Sequence, residues 1–397
     1  MKYINSQADI NVSRILRLIW QQNGISRIEI ASKLGLDKST VTKIVFSLLE
    51  VGIVAEVAHG STGPQGGRKP IYLEITSSFA LVGGIEINAS GFVCSLLNLQ
   101  GELLFQHEQK MTVADTLDCF NQAYALLCDE SKKRKINMIG VGVGLSGIVN
   151  SDSGFIIKSI PLNIGNNFPF SQIASSQVGV PVFVENDARC CCYSEQTLLH
   201  DTGMQNILFI LIELRNGDKP VLKNTEVSVG MGLVLNGKIY KGSAFSAGEF
   251  SSMLWNGEQS CQFCSEEENL EEFGKNEASL KGDEDTIFSE LARHAAFLVN
   301  TLNLETVYIG GLPTELAEEL AKLISHRIEC QWPYEGLHRC EVKLSSLGSL
   351  AVAYGAAGMF IDRFFALPSL STPSGNGPSI LEALSLVGTT GMAGKLV

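Results

Sequence analysis

The chain has 397 residues and a formal net charge of −12, and 45% of its residues are hydrophobic. Its length exceeds that of one ordinary domain, and its share of apolar residues excludes a globally disordered chain. No apolar run approaches the roughly 20 residues of a membrane-spanning helix, and the N-terminus lacks the apolar core of a signal peptide. We therefore expect a cytoplasmic protein of two or three domains, whose ten cysteines are thiols.

The charge is distributed unevenly along the chain. Residues 1–70 contain nine lysines and arginines against five acidic residues, whereas the remainder contains 21 against 37. A basic segment in front of an acidic body is typical of a protein that binds nucleic acid at one end and a different partner at the other.

The N-terminal segment shows the pattern of a helix-turn-helix. Apolar residues at helical spacing predict helices over 9–22, 27–34 and 38–51. Ser26, with a glutamate three residues later, forms a capping box for the second helix. Gly35 permits the tight turn between the second and third helices. A helix, a short turn with glycine and another helix are the plan of the helix-turn-helix.

The third of these helices, with Asp37 as its predicted N-cap, presents short hydroxyls flanked by cations. Such side chains suit base edges and phosphates in a major groove. Residues 52–58 read as the start of a β wing, and 60–70 as its basic tip, suited to a minor groove or to phosphates. A protein-contact module is the alternative, but fold pattern, charge and helix chemistry together favour DNA. The predicted DNA-binding residues are Arg27, Lys38, Ser39, Thr40, Thr42, Lys43, Arg68 and Lys69.

Beyond residue 70, strands followed by helices occur twice, which predicts two α/β lobes. The apolar run 181–184 leads into Glu185-Asn186-Asp187, and a helix over 188–199 follows. Open α/β sheets bind ligands at the carboxyl ends of their strands. A carboxylate beside an amide can bind vicinal hydroxyls, because one accepts and the other both accepts and donates. The alternative is an ordinary strand-end turn capped by Asn and Asp.

Six short motifs occur in the order and approximate spacing of one protein family. They are Gly84-Ile85-Glu86-Ile87-Asn88, Gly144-Leu145-Ser146-Gly147, Glu185-Asn186-Asp187, Gly230-Met231-Gly232, Ala247-Gly248-Glu249 and Gly310-Gly311. With them, about residues 80–365 resemble the ROK family (repressors, open reading frames and kinases). The resemblance implies an α/β chain in three parts. These are a winged helix-turn-helix (1–75), a two-lobed actin/hexokinase-like (ribonuclease H-like) sugar-binding domain (76–366) and a loose C-terminal tail (367–397).

The resemblance also implies the residues of a sugar site. It matches Asn186 and Asp187 to the family's ligands of sugar hydroxyls, with Asp187 the catalytic base in the kinases. Glu249 matches a sugar-binding carboxylate, and Asn163 sits where an asparagine reaches the sugar. Glu271 matches a carboxylate that follows the family's cysteine cluster, although it can equally belong to a solvated acidic helix.

Two departures from the family's kinases concern ATP. The kinases carry Asp-x-Gly-Gly-Thr in the first hairpin, where glycines let the backbone approach the phosphates. This chain has Glu86-Ile87-Asn88-Ala89-Ser90 there. The second phosphate loop retains Gly230 and Gly232, but Met231 replaces a small hydroxyl residue. We expect ATP binding to be lost, with no cofactor and no catalytic residue, unless the protein is a kinase with Asp187 as its base.

A third departure concerns the family's zinc site, which uses a histidine three residues after the glutamate and then three cysteines. Ser252 stands at the histidine position, and Asn269 stands where the third cysteine would fall. Cys261 and Cys264 remain, and no histidine lies nearby. We expect two unliganded thiols and no metal, although a Cys-x-x-Cys can also be a redox pair or half a zinc site. Loss of zinc would also loosen the segment that holds Glu249.

Three functions follow from these patterns, and we favour the first. It is a transcriptional regulator, a repressor of sugar-use genes, with a double-stranded DNA operator and a sugar effector. Sugar would close the lobes and change the spacing of the recognition helices in a homodimer, or in a dimer of dimers, with no membrane partner. The second is an ATP-dependent, glucokinase-like sugar kinase with an appended DNA-binding module. The third is a DNA-binding protein whose body is a dimerisation scaffold without a ligand.

Overall fold

The computed structural model describes residues 7–57, 71–198, 205–214, 227–253, 262–263, 287–332, 334 and 340–366. Several sequence predictions lie outside the described residues: those for Arg68, Lys69, Cys261, Cys264, Asn269, Glu271 and the tail 367–397. Within the described ranges, no helix combines the length and apolarity needed to span a membrane.

The N-terminal part, which we call the head, contains three helices and a small antiparallel sheet of order β1-β3-β2. Its elements are α1 (Gln7–Gln21), β1 (Ile25–Ser26), α2 (Arg27–Leu34), α3 (Lys38–Val51), β2 (Val54–Val57) and β3 (Tyr72–Ile75). The capping box is confirmed, because the Ser26 side chain accepts from the Glu29 N–H and the Glu29 carboxylate accepts from the Ser26 N–H. Asp37 is the N-cap residue of α3, as predicted, but its side chain makes no capping hydrogen bond among the described residues.

The first lobe is built on a five-stranded sheet of order β10-β7-β4-β5-β6. Its elements are β4 (Leu81–Asn88), β5 (Gly91–Asn98), β6 (Leu103–Lys110), α4 (Thr116–Arg134), β7 (Met138–Leu145), β8 (Ile148–Asn150), β9 (Phe155–Lys158), α5 (Phe170–Val178), β10 (Val182–Asn186) and α6 (Asp187–Leu198). Strands β4, β7 and β10 are parallel, and β5 and β6 complete an antiparallel meander with β4. Helix α6 begins at Asp187, one residue earlier than predicted.

The second lobe repeats this plan with the sheet order β13-β12-β11-β14-β15. Its elements are β11 (Ile207–Leu214), β12 (Val227–Leu235), β13 (Lys238–Ile239), α7 (Ile287–Leu302), β14 (Thr306–Gly310), α8 (Thr314–Gln331) and β15 (Glu341–Leu344). Again a meander is followed by parallel strands, here β11, β14 and β15. The chain then passes through a 3₁₀ turn (Gly348–Leu350) into α9 (Ala351–Phe364), which returns to the first lobe.

Helix α9 packs against the first lobe at backbone distance, and its residues Ala351, Val352 and Ala356 also share a buried cluster with strands of the second lobe. A Cβ atom on Gly84 of β4 would lie 1.9 Å from the carbonyl oxygen of Ala353. A Cβ atom on Gly355 of α9 would lie 1.8 Å from the carbonyl oxygen of Cys190 in α6. Because glycine leaves room for the opposite backbone at both places, α9 lies directly against the first sheet and against α6.

The head packs onto the C-terminal end of α9. The ring of Trp20 in α1 stacks on Phe365 with centroids 5.0 Å apart, and its indole N–H donates to the Leu99 carbonyl at 3.1 Å. Arg17 pairs with Asp362 at 3.4 Å. The buried side chains of the head and of this face of the body form one continuous core. A displacement of α9 would therefore be transmitted to α1.

Candidate functional site

Asn186 ends β10 with its side-chain amide bonded on both sides. Its Nδ2 donates to the carbonyl of Gly147 at 3.1 Å, and its Oδ1 accepts from the N–H of Arg189 at 3.1 Å. A side-chain amide has two N–H donors and two lone pairs. These two bonds fix its orientation and leave one N–H and one lone pair for a ligand.

Asp187 presents a buried carboxylate at the first residue of α6. It accepts a hydrogen bond from the N–H of Ala188 at 2.7 Å and another from the hydroxyl of Ser146, at the end of β7. Burial raises the pKa of Asp187, and the Ser146 hydroxyl, which donates to the charged form, opposes that rise. Such a carboxylate can accept hydrogen bonds from ligand hydroxyls.

The second lobe brings Glu249 to the same place. A Cβ atom on Gly230 of β12 would lie 3.9 Å from Oδ1 of Asp187, and Gly230 forms a β-bridge with Glu249. Glu249 is exposed. The surrounding protein nevertheless desolvates its carboxyl enough to raise its pKa, and the charge of Asp187 raises it further. Carboxylates from both lobes therefore face one space.

The glycines Gly230 and Gly232 lie inside strand β12, and their correspondence to the family's second phosphate loop stays a prediction. A Cβ atom on Gly232 would lie 2.4 Å from the Ala188 carbonyl oxygen. Gly232 is therefore required for the close approach of β12 to α6, whether or not a phosphate binds. Side chains alternate along a strand, and that of Met231 lies in the second lobe's core, away from Asp187.

A buried ion pair, which the sequence analysis missed, lies beneath the cleft. Arg189 is 1% exposed, and its Nε donates to Oε1 of the fully buried Glu185 at 2.7 Å. Its Nη2 donates to the carbonyl of Val149 at 2.9 Å, and its Nη1 to the carbonyl of Phe245 at 3.0 Å. Phe245 belongs to the second lobe, so this guanidinium crosses the lobe boundary. An arginine four residues after a glutamate, beside three cysteines in an apolar helix, was the available signal.

The first hairpin is closed by side chains at the positions where the kinases carry glycines. Asn88 Oδ1 accepts from the N–H of Ser90 at 2.9 Å, and Asn88 Nδ2 donates to Glu86 at 3.2 Å. Burial raises the pKa of Glu86 to about 8; the Asn88 bond opposes this, and the nearby carboxylates Glu213, Asp187 and Glu108 add to it. Glu86 is therefore largely protonated at neutral pH.

Asn163 lies in the turn between β9 and α5, where it is exposed and has a φ of 52°. The turn is connected to the cleft, because the hydroxyl of Ser159 donates to the carbonyl of Ser146 at 2.6 Å and Ser146 bonds Asp187. Among the described residues, no hydrogen bond joins the Asn163 side chain to Asp187. Its role as a sugar ligand stays a prediction, as does that of Glu271.

The surroundings of Ser252, at the start of the degenerate zinc motif, include a histidine that is distant in sequence. No group of three or more potential metal ligands occurs in the part of the chain that the structure describes. The prediction that no histidine lies nearby is wrong, because Nε2 of His294 in α7 accepts from the N–H of Met253 at 2.9 Å. Met253 directly follows Ser252, the position of the family's histidine.

The predicted DNA-reading residues share one face of α3. Most of them are exposed: Lys38, Ser39, Thr42 and Lys43, whereas Thr40 is half-buried. Phe46, which was not predicted, is 59% exposed and extends the same face by one turn. Arg27 is half-buried and pairs with Glu56 of the wing, so it could contact DNA only by sharing or breaking that ion pair.

Comparisons with known proteins agree with this architecture. The ROK family model matches residues 82–281, and the MarR family model matches residues 12–59. The xylose repressor of Caldicellulosiruptor bescii is 22% identical over 403 residues, which cover 90% of this chain and 97% of that protein.

Two solved structures extend the comparison to the fold. A ROK family transcriptional regulator, a homologue of the Escherichia coli MLC protein, has a TM-score of 0.66 at 21% identity and covers 90% of this chain and 96% of its own. A ROK family glucokinase from Streptomyces griseus, in complex with glucose and AMPPNP, has a TM-score of 0.50 at 20% identity and covers 70% and 99%. The predicted fold, a helix-turn-helix head on a two-lobed actin/hexokinase-like body, is confirmed.

Proposed function

The chain belongs to the ROK family, and we propose that it is a DNA-binding transcriptional repressor of carbohydrate-utilisation genes, controlled by a sugar or sugar derivative bound between its lobes. One observation carries this proposal: a head that exposes cations and hydroxyls on α3 is packed onto a body whose cleft gathers Asn186, Asp187 and Glu249. In this proposal residues 1–75 are the DNA-binding head, 76–366 the sugar-binding body and 367–397 a tail. A xylose repressor of matching length supports the regulatory role.

The chemistry of the cleft suits a ligand rich in hydroxyls. Each sugar hydroxyl donates one hydrogen bond and accepts others, and the cleft offers the carboxylates of Asp187 and Glu249 beside the amide of Asn186. Buried polar groups that a wrong ligand leaves unpaired give discrimination. Asn163 and Glu271 complete the proposed site.

The route from sugar to DNA runs through two helices. Helix α6 begins at Asp187 and lies against α9 at Gly355, and the residue after α9, Phe365, stacks on Trp20 in the head. A sugar that binds Asp187 and Glu249 together would draw the lobes toward each other and move this chain of contacts. In a homodimer, that movement would change the separation of the two α3 helices on a palindromic operator. Such coupling is typically worth about 1–3 kcal/mol.

An ATP-dependent sugar kinase with an appended DNA-binding module is the second candidate, favoured by the likeness of the body to a glucokinase. Asp187 would then be the catalytic base. The closed hairpin at Asn88 argues against it, and Gly232 does not support it, because packing requires that glycine whether or not a phosphate binds. Incubation with ATP and hexoses tests this candidate: sugar phosphate formed by the wild type and abolished by Asp187→Asn would replace the first proposal.

The first proposal is tested by electrophoretic mobility shifts of the DNA upstream of the gene, at low salt, with and without D-xylose, D-glucose and N-acetyl-D-glucosamine. We expect the full-length protein to shift the fragment and one sugar to change the shift. A Lys43→Ala variant should bind more weakly and lower the salt dependence by a slope of about 1. Absence of any shift at low salt would defeat the proposal.

A further inference from the structure

We propose that Gln262 and His294 form a clamp that positions Glu249 for the sugar. The clamp holds residues 249–253, which we call the Glu249 segment, from two directions. This inference rests on the proposed function, because it names two residues that shape the sugar site without contacting the sugar.

The Glu249 segment starts on the outer edge of β12. Strand β12 pairs with β11 along one edge, and on the other edge β13 pairs with it at Val234 and Leu235. Farther along that edge, the N–H of Met231 donates to the carbonyl of Gly248 at 2.9 Å, and Gly230 bridges Glu249. These backbone contacts bring Glu249 to the strand but do not act on the residues that follow it.

Gln262 continues this strand edge with its side chain. Its Oε1 accepts from the N–H of Val229 at 2.7 Å, and its Nε2 donates to the carbonyls of Val229 at 2.8 Å and Phe250 at 2.9 Å. The amide thus makes both of the hydrogen bonds that a neighbouring strand would make with Val229. The backbone carbonyl of Gln262 also accepts from the N–H of Ser252 at 2.8 Å. One residue therefore attaches two positions of the Glu249 segment to β12.

His294 holds the other side of the segment from α7. Its Nδ1 lies 2.7 Å from the carbonyl oxygen of Glu290, which can only accept, so Nδ1 carries the proton and Nε2 is the acceptor. That Nε2 receives the N–H of Met253 at 2.9 Å. The imidazole also packs edge-on against the Phe250 ring, with centroids 5.4 Å apart. The helix therefore fixes the ring, and the ring fixes the end of the segment.

Together these contacts hold the backbone at Phe250, Ser252 and Met253, directly after Glu249. A carboxylate whose following residues are already ordered needs less ordering when a ligand binds, and this raises affinity. Ser252 lies in the middle of the clamp, at the position of the family's zinc-binding histidine. Hydrogen bonds thus hold the stretch that the degenerate zinc motif was predicted to loosen.

The clamp makes a prediction that simple core packing does not make. If Gln262 acts through Glu249, replacing Gln262 should weaken sugar binding only while Glu249 can bind the sugar. If Gln262 merely stabilises the lobe, its replacement should have the same effect with and without that carboxylate. A double-mutant cycle separates the two cases.

Sugar affinity is measured by calorimetry on full-length wild type, Gln262→Met, Glu249→Gln and the double variant, with D-xylose, D-glucose and N-acetyl-D-glucosamine as probes. Methionine keeps the length of the Gln262 side chain but has no amide to bond Val229 and Phe250. We expect Gln262→Met to weaken binding about tenfold in the wild type and less than twofold in Glu249→Gln. An equal loss in both backgrounds would overturn the positioning role.

Backbone amide exchange tests the clamp without any ligand. We expect the Met253 amide to exchange at least about tenfold faster in His294→Leu, and the Val229 amide to do so in Gln262→Met. The matched control is Asn300→Leu, which removes a side-chain bond from α7 to the carbonyl of Ile328 and should leave these amides unchanged. Unchanged exchange in the clamp variants would overturn the clamp. If the wild type binds none of the probes, the proposed function fails, while the exchange rates still support or overturn the clamp.

Discussion

The two carboxylates of the cleft, Asp187 and Glu249, are positioned in different ways. Asp187 begins a helix, and its hydrogen bonds come from the next residue and from Ser146, directly after the adjacent strand β7. Glu249 lies on an irregular segment attached by the side chains of Gln262 and His294. The side of the cleft that carries Asp187, which we call the first wall, is thus part of a sheet and its helix. The side that carries Glu249, the second wall, depends on a few side chains for its position.

This difference suggests how the site can respond to a ligand. The first wall continues without interruption into α6 and α9 and from there to the head. The second wall contacts the first at two places. Gly230 lies close to Asp187, and the Arg189 side chain donates a hydrogen bond to the carbonyl of Phe245. We expect binding to move the second wall against the first, and variants that affect one wall alone should have separable effects.

The largest effect, a loss of stability, is expected from Arg189→Met, which removes the hydrogen bonds of Arg189 to Glu185 and Phe245. It leaves the carboxylate of Glu185 fully buried without its charge partner, and the loss of one member of a buried pair typically costs about 3–5 kcal/mol. Urea unfolding should show this loss, whereas Lys132→Met, which breaks an exposed pair with Asp129, should change stability by less than about 0.5 kcal/mol. Equal effects of the two variants would contradict the role of the buried pair.

Glu86, on the first wall, should give the protein a distinct pH dependence. Its pKa of about 8 in the folded protein lies above the usual glutamate pKa of 4.5, so between these pH values the folded state holds a proton that the unfolded state has lost. Stability should therefore fall as pH rises from about 5 to 8, and the penalty should be complete above pH 8. Glu86→Gln should remove about 3 kcal/mol of this fall in urea unfolding at pH 5 and 8.

The control for Glu86 is the exposed Glu318→Gln. Asp187 and Glu249 are also raised in pKa, but they are present in both proteins, so the difference between wild type and Glu86→Gln isolates Glu86. A pH dependence that Glu86→Gln leaves unchanged would contradict the assignment.

Trp20→Leu should weaken the energetic coupling between the head and the first wall. Leucine keeps an apolar side chain but loses the ring stack on Phe365 and the hydrogen bond to Leu99. We expect sugar affinity and DNA affinity each to stay within about threefold of wild type, while the effect of sugar on DNA binding loses most of its 1–3 kcal/mol. Calorimetry and anisotropy on the same sample measure the three quantities. Full coupling in this variant would show that the signal takes another route.

The smallest effect is expected from Ser146→Ala. The Ser146 hydroxyl lowers the pKa of Asp187, so its loss raises that pKa, and sugar binding should weaken at a higher pH as the solution is acidified. At neutral pH the loss should be about 1 kcal/mol. Gln262→Met, which acts on the second wall, should weaken sugar binding without changing the pH at which acidification weakens it. If both variants change that pH, the two walls do not act independently.

The same difference explains how much could be predicted from the sequence. Asn186 and Asp187 directly follow an apolar strand, and the capping box at Ser26 is local, so both features can be recognised in neighbouring residues. Support for Glu249 comes from Gln262 and His294, which reach the Glu249 segment from distant parts of the chain, and no local pattern indicates those contacts.

The packing role of Gly232 was missed for a related reason. Two glycines one residue apart suggest a turn, but here they occupy one face of strand β12 where it crosses α6. The requirement at Gly232 is set by Ala188, in another element, and no spacing within the motif reveals it. Local patterns therefore predicted elements and their ends, whereas contacts between elements had to be seen in the structure.

The most direct test of the account is the DNA affinity of the full-length protein with and without sugar, measured by fluorescence anisotropy on a labelled upstream duplex at fixed salt. We predict that one of the sugars changes the Kd by at least about fivefold for the wild type. The same sugar should have no effect on Asp187→Asn or Glu249→Gln, although both variants bind the duplex as the wild type does. Two results would contradict the sugar-controlled repressor: a wild-type DNA affinity that no sugar changes, or a DNA affinity of the two variants that sugar still changes.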